Sequence, residues 1–201
     1  MRIPEPAAAQ PGESDVLADL PGMDVVVGGR TLLRTQRLCL RRDDRVLIEG
    51  RNGAGKTSLL RQLLPALPGA AVLPQTHDEL PTSVPVLEFF RSRAPMYVDD
   101  AEQVLEGFLF DRADRGRPLG QLSPGQVRRL LIATMVNRPS PLLVLDEPTN
   151  HLDFDSLDVV EEALSGYRGA LLVVSHDEEL AGRIGLTQRW VVAGGRLESA
   201  A

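Results

Sequence analysis

Short apolar runs recur along the chain, set apart by glycine turns and by stretches with helical spacing. MDVVV at 23–27 and TLLRTQRLCLR at 31–41 read as strands, the second alternating in part between apolar and polar positions. RVLIE at 45–49 is an apolar run ending on a glycine-rich turn; TSLLRQLL after it has helical spacing and is closed by Pro65. AAVLP at 70–74 predicts a further short strand. Residues 77–120 differ: VLEFFRSR and DDAEQVLEGFLF predict helices, interrupted by Pro81, Pro85, Pro95 and the polar loop DRADRGRPLG. A helix from Ser123 to about Asn137 follows, so the span of about 77–138 is expected to be a helical subdomain. Beyond it come strand LLVLD at 142–146, a helix over about 155–166, strand LLVVS at 171–175 and a terminal strand, RWVVAGGRL. Strands alternating with helices predict an α/β fold, with a mostly parallel sheet covered on both faces. No solenoid repeat is present.

Composition narrows the picture. The chain has 201 residues, enough for one domain with its own core. Residues 1–22 hold four prolines and four alanines, with Glu5, Glu13, Asp15 and Asp19 against Arg2 alone, and read as a disordered acidic leader. The single cysteine, Cys39, excludes a disulfide framework and any multi-cysteine zinc site. With no signal-like apolar segment and no run long enough to cross a bilayer, the expected location is cytoplasmic and the chain is not itself membrane-spanning. A net charge of −6 argues against DNA as a partner held by overall charge. Of the 22 cations, 21 are arginine and one is Lys56. A lone retained ammonium points to a site that needs a compact point charge.

That lysine sits in Gly50-Arg51-Asn52-Gly53-Ala54-Gly55-Lys56-Thr57, which matches G-x-x-x-x-G-K-S/T between a predicted strand and a predicted helix. Glycines there let backbone N–H groups wrap phosphates, and the helix N-terminus adds positive potential. Lys56 would reach the β- and γ-phosphates, and the Thr57 hydroxyl would ligate Mg²⁺. LLVLDE at 142–147 ends an apolar strand in Asp146 and Glu147. In phosphoryl transfer the first carboxylate holds the metal and the second can polarise the attacking water. His176 follows LLVVS at a third strand end, where open α/β sheets bind ligands. Ser123-Pro124-Gly125-Gln126 reads as a helix start: Ser123 is a good N-cap, Pro124 suits the first turn, and Gln126 completes a capping box. Taken alone, those four residues are read first as helix capping, and second as a helix N-terminus that receives the γ-phosphate of a nucleotide held elsewhere.

The order P-loop, Gln75, LSPGQ, LLVLDEPTNHLD and VSHD resembles the nucleotide-binding domain of ATP-binding cassette (ABC) proteins, over about residues 23–198. The phrase DEPTNHLD, Asp146 to Asp153, looks most like the ABC-F subfamily. The resemblance implies ATP and Mg²⁺ as cofactors, with Gly50 to Ser58 as Walker A and Gln75 as a residue near metal and water. It implies Ser123, Gly125 and Gln126 as a signature that closes on a partner's ATP. Asp146 would be the metal carboxylate, Glu147 the catalytic base, and His176 the switch histidine; Asp153 would close the D-loop. Upstream of Walker A the family stacks adenine on an aromatic, whereas the matching stretch here is VVVGG and no aromatic precedes Phe89. Pro124 stands where glycine is usual.

The function this implies is Mg²⁺-dependent ATP binding and hydrolysis by an ABC-F-like domain. In that subfamily two such domains share one soluble chain, several members act on the translating ribosome, and some confer antibiotic resistance. A second ABC domain, in a homodimer or as a heterologous or tandem partner, is therefore an expected partner, and the ribosome a further one. Two alternatives stay open: the ATPase subunit of a membrane transporter, and a low-turnover nucleotide-binding scaffold or switch.

Overall fold

The computed structural model describes residues 15–67, 69–74 and 79–200. In chain order the strands and helices are β1 Val16–Leu20, β2 Asp24–Val27, β3 Arg30–Thr35, β4 Leu38–Arg41, β5 Arg45–Gly50, α1 Lys56–Leu63 and β6 Ala71–Val72. They continue with α2 Val86–Arg93, α3 Val98–Gly107, α4 Arg112–Arg115, α5 Pro124–Val136, β7 Leu142–Asp146 and α6 Phe154–Ser165. The chain closes on β8 Ala170–Val174, α7 Glu178–Arg183, β9 Gln188–Ala193 and β10 Arg196–Ala200. Eight strands form one sheet in the order β2-β3-β10-β9-β5-β8-β7-β6, and β1 pairs separately with β4. From β9 to β6 every pairing is parallel; β2–β3 and β10–β9 are antiparallel. The fold is α/β, as the alternation of patterns predicts.

Period-two alternation builds two cores from the same strands. Leu142 and Val144 of β7 face one side with Leu59, Leu63 and Trp190. Leu143 and Leu145 face the other, among Phe89, Phe90, Phe110 and Ile132. Helices α2, α3, α5 and α6 therefore cover one face, while α1 and the antiparallel strands cover the opposite one. Each fully buried Leu or Phe contributes about 1.5–3 kcal/mol. A strand flanked by two such cores must be apolar throughout, which is why LLVL and ALLVV read as unbroken runs.

Several elements depart from the sequence reading. Residues 16–20, assigned to the leader, are a strand whose Ala18 and Leu20 are buried against β4. The alternation in VLADL outweighs the proline- and alanine-rich composition around it; the expected leader is shorter by those residues, and 1–14 lie outside the described residues. TLLRTQRLCLR is two strands, β3 and β4, which join different sheets. RWVVAGGRL is a hairpin turning at Gly194 and Gly195. The polar loop after α3 contains α4, started by Asp111, whose carboxylate accepts from the Asp114 N–H at 2.8 Å. Helix α7 was not anticipated either. Among the described residues, no helix is long and apolar enough to cross a membrane.

Candidate nucleotide-binding site

Strand β5 delivers the chain to the glycine loop, and Gly55 caps α1 at φ 100°, a left-handed conformation that a side chain would strain. No side chain caps this end. Lys56 opens the helix with only 7% of its surface exposed. Its ammonium donates to the carbonyls of Gly50 at 2.6 Å and Arg51 at 3.3 Å. Nε2 of His176 lies 3.1 Å from the same nitrogen and 3.2 Å from Asn52 Oδ1. The Thr57 hydroxyl donates to Asp146 Oδ2 at 2.7 Å, so the two proposed metal groups meet across α1 and β7.

Glu147 follows at φ 49°, left-handed backbone for a non-glycine residue. Its N–H donates to the Val174 carbonyl at 2.8 Å, anchoring it on β8. Oε1 lies 3.6 Å from His176 Nε2. Burial pushes this carboxyl above its ordinary range; His176 and Lys56 pull it down, and Asp146 adds to the rise. The three strand ends thus converge on a cavity of about 430 Å³ lined by Leu32, Asn52, Lys56, Thr57, Asp146 and Glu147, among others including Gly53 and Ser58. One threonine hydroxyl and one carboxylate suit Mg²⁺, which takes one or two protein oxygens and completes its shell with phosphates and water. A larger cleft of about 750 Å³ lies between α2, α3 and α4, away from these strand ends. Its Arg115 is tied to Glu102 at 3.2 Å and Glu106 at 3.1 Å, and none of the nucleotide motifs lines it.

The signature residues are not part of this cavity. Ser123 caps α5 with a reciprocal box: its hydroxyl accepts from the Gln126 N–H at 3.2 Å, and Gln126 Oε1 accepts from the Ser123 N–H at 3.0 Å. Gly125 lies so close to the D-loop that a Cβ there would stand 2.5 Å from the His151 carbonyl oxygen. Asp153 caps α6 through the Ser156 N–H at 2.9 Å, and hydrogen bonds from Ser156 hold its carboxyl below the usual range. Gln75 lies outside the described residues.

Two residues beside the site were not found from sequence. Leu32 of β3 is an aliphatic wall of the cavity, and nothing in its sequence neighbourhood marks it. Arg128, within α5, is buried and donates to the Glu147 carbonyl at 2.6 Å. The signal available for it was a pair of charged residues, Arg128 and Arg129, inside a helix otherwise largely apolar.

The family profile described as ABC transporter matches residues 68–150. The tylosin resistance ATP-binding protein TlrC of Streptomyces fradiae is 41% identical over 184 residues, covering 86% of this chain and 33% of that protein. ABC transporter F family member 5 of Arabidopsis thaliana is 32% identical over 193 residues, covering 88% of this chain and 28% of that protein. The chain thus spans about a third of the length of these curated relatives. In fold it is similar to a chain from the complex of archaeal ribosomal stalk protein aP1 and archaeal ribosome recycling factor aABCE1. That match has a TM-score of 0.76 at 20% identity, covering 95% of this chain and 41% of the other. By the ordered motifs, the fold and these relatives, the chain is similar to the nucleotide-binding domains of ATP-binding cassette proteins and is most like a single such domain of the ABC-F subfamily.

Proposed function

We propose that this domain binds and hydrolyses ATP with Mg²⁺, as one half of a paired ABC-F-type ATPase in the cytoplasm. The observation that carries the reading is the convergence of Lys56, Thr57, Asp146 and Glu147 on one cavity, with His176 beside Lys56 and Glu147. Lys56 and the N–H groups at the start of α1 bind the phosphates. Thr57 and Asp146 hold Mg²⁺, which when bound offsets charge on the β- and γ-phosphates. Glu147 orients a water toward the γ-phosphorus and accepts its proton as ADP leaves. His176, within reach of both Lys56 and Glu147, contacts the γ-phosphate.

Ser123, Gly125 and Gln126 stand apart from the cavity, so they serve a nucleotide bound elsewhere. This supports a second ABC domain as partner, in a homodimer or as a heterologous or tandem unit. The relative whose printed name is a tylosin resistance ATP-binding protein supports a role in antibiotic resistance, and the ABC-F resemblance supports the ribosome as client.

The test is Glu147→Gln. It should spare ATP binding but slow hydrolysis by about a hundredfold or more, because the lost proton acceptor matters in the transition state. Sedimentation with Mg²⁺-ATP, alone and with a candidate partner domain, should then show a complex that depends on ATP and protein concentration. A monomer under both conditions leaves the capping role of Ser123 as its whole explanation, and the domain becomes a nucleotide-binding module without a paired site.

A further inference from the structure

Arg128 is out of place for a residue that only supports a helix. It is 6% exposed, on the apolar underside of α5, and burial lowers its basicity while the charges of Asp146 and Glu147 raise it. Its Nε finds no hydrogen-bond partner among the described residues. A buried guanidinium with an unmet donor is unfavourable, and an apolar side chain of the same size would pack there without that penalty. Something must offset it.

What the guanidinium does reach is the backbone of the catalytic corner. One terminal nitrogen donates to the Glu147 carbonyl at 2.6 Å and stands 3.4 Å from the Asp146 carbonyl. The Asn150 N–H donates to the same Glu147 oxygen at 3.2 Å. On the other side of the residue, the Glu147 N–H is held by Val174. Both backbone polar groups of Glu147 are therefore clamped, one by β8 and one by α5, while its φ of 49° is held in a region that a glutamate seldom adopts. Rotation of that residue back to ordinary backbone would swing the carboxylate away from His176 and the cavity. The neighbouring arginine, Arg129, does different work: it bonds Ser156 of α6 and the Leu109 carbonyl, and lies over the Phe110 ring.

We propose that Arg128 is a positioning residue for hydrolysis, whose guanidinium holds the Glu147 carbonyl and through it the direction of the Glu147 carboxylate. Arg128 itself does not line the cavity. Because it sits within two turns of Ser123, the same helix start that faces a partner's nucleotide also carries the clamp on this domain's own base. The assignment rests on the ATPase reading above.

The experiment compares Arg128→Met, which keeps volume and removes every donor, with Arg128→Lys, which restores a cation able to reach the carbonyl. Steady-state and single-turnover hydrolysis are measured with Mg²⁺-ATP, and nucleotide affinity with a fluorescent ATP analogue. Arg128→Met should lower kcat tenfold or more, with KM and nucleotide affinity within twofold of wild type. Arg128→Lys should recover a large part of the loss. In a Glu147→Gln background, Arg128→Met should change single-turnover hydrolysis by less than twofold, since its effect passes through that carboxylate. Equal losses in both backgrounds, or an unchanged kcat in folded Arg128→Met, overturn the assignment. Should the methionine variant fail to fold, Arg128→Gln, polar but too short to reach the carbonyl, must show the same loss of kcat. A wild type that hydrolyses no ATP with a partner present sinks the ATPase reading, and this assignment with it. A wild type that turns over normally beside an equally active Arg128→Met sinks the assignment alone.

Discussion

Helices α1 and α5 both begin at a motif associated with nucleotide phosphates, yet their first turns are built on opposite plans. At α1 the cap is a glycine in left-handed conformation, which offers no side-chain cap bond, and a buried ammonium opens the helix. That end is shaped to take an anion from outside. At α5 the chain supplies its own partners: Ser123 and Gln126 bond each other's backbone, and Pro124 has no N–H to offer. Phosphate arriving at α5 would have to compete with a complete capping box. If the proposed function holds, the first end is expected to bind nucleotide without another domain, whereas the second is expected to do so only when a partner presents a phosphate already held by its own P-loop. On the proposed reading, dependence on a second domain has its physical basis in the capping of one helix.

The sharpest way to break this contrast is to disable one end at a time. Lys56→Ala removes charge-assisted contacts to the phosphates worth about 1.5–3 kcal/mol, so nucleotide affinity should fall tenfold or more. Titration calorimetry with the folded variant checks it, and unchanged affinity would remove the distinction between the two ends. At the other end, Gly125→Ala would drive a methyl group against the His151 carbonyl. Overpacking of that kind costs about 1–3 kcal/mol, visible in urea unfolding, while binding at α1 should stay within twofold. A variant as stable as wild type would mean that the D-loop yields easily to the signature.

Ser123→Ala opens the capping box and should cost about 1 kcal/mol, lowering Tm by about 2–4 °C in calorimetry. If it also strengthens association with a partner domain, the box is a brake on the signature as well as a cap. The smallest expected effect concerns the base. With an aliphatic Leu32 on the cavity wall and no aromatic upstream of it, a stacking contact of about 1–3 kcal/mol is missing. ATP and GTP should bind within tenfold of each other in competition assays; a stronger preference for ATP would show that another group reads the base.

The parts of the molecule legible in sequence are those in which one local pattern suffices. Strands β5, β7 and β8 are apolar runs ending on glycine or on chemistry-bearing residues, and the P-loop, Asp146, Glu147 and His176 follow directly at their ends. The capping box was legible for the same reason, since Ser123 and Gln126 satisfy each other within one turn. Strand β1 was hidden because its stability comes from pairing with β4, more than a dozen residues away, under a composition that suggests disorder. Helix α7 was hidden because a short helix depends on its cap: the Asp177 carboxylate accepts from the Glu179 and Leu180 N–H groups. Arg128 could not be placed because its burial depends on how α5 lies over the end of β7, which no spacing along the chain encodes.

Strand β7 belongs to both cores at once, and this has a bearing on time as well as space. An element buried on two faces and paired on both edges cannot open without disturbing everything that touches it. Amide protons from Leu143 to Leu145 should therefore exchange with solvent only when the whole domain unfolds, whereas those of the glycine loop can exchange through local opening. Asp146 ends that strand and Glu147 follows it directly. The two carboxylates are thus mounted at the end of an element expected to open only when the whole domain does.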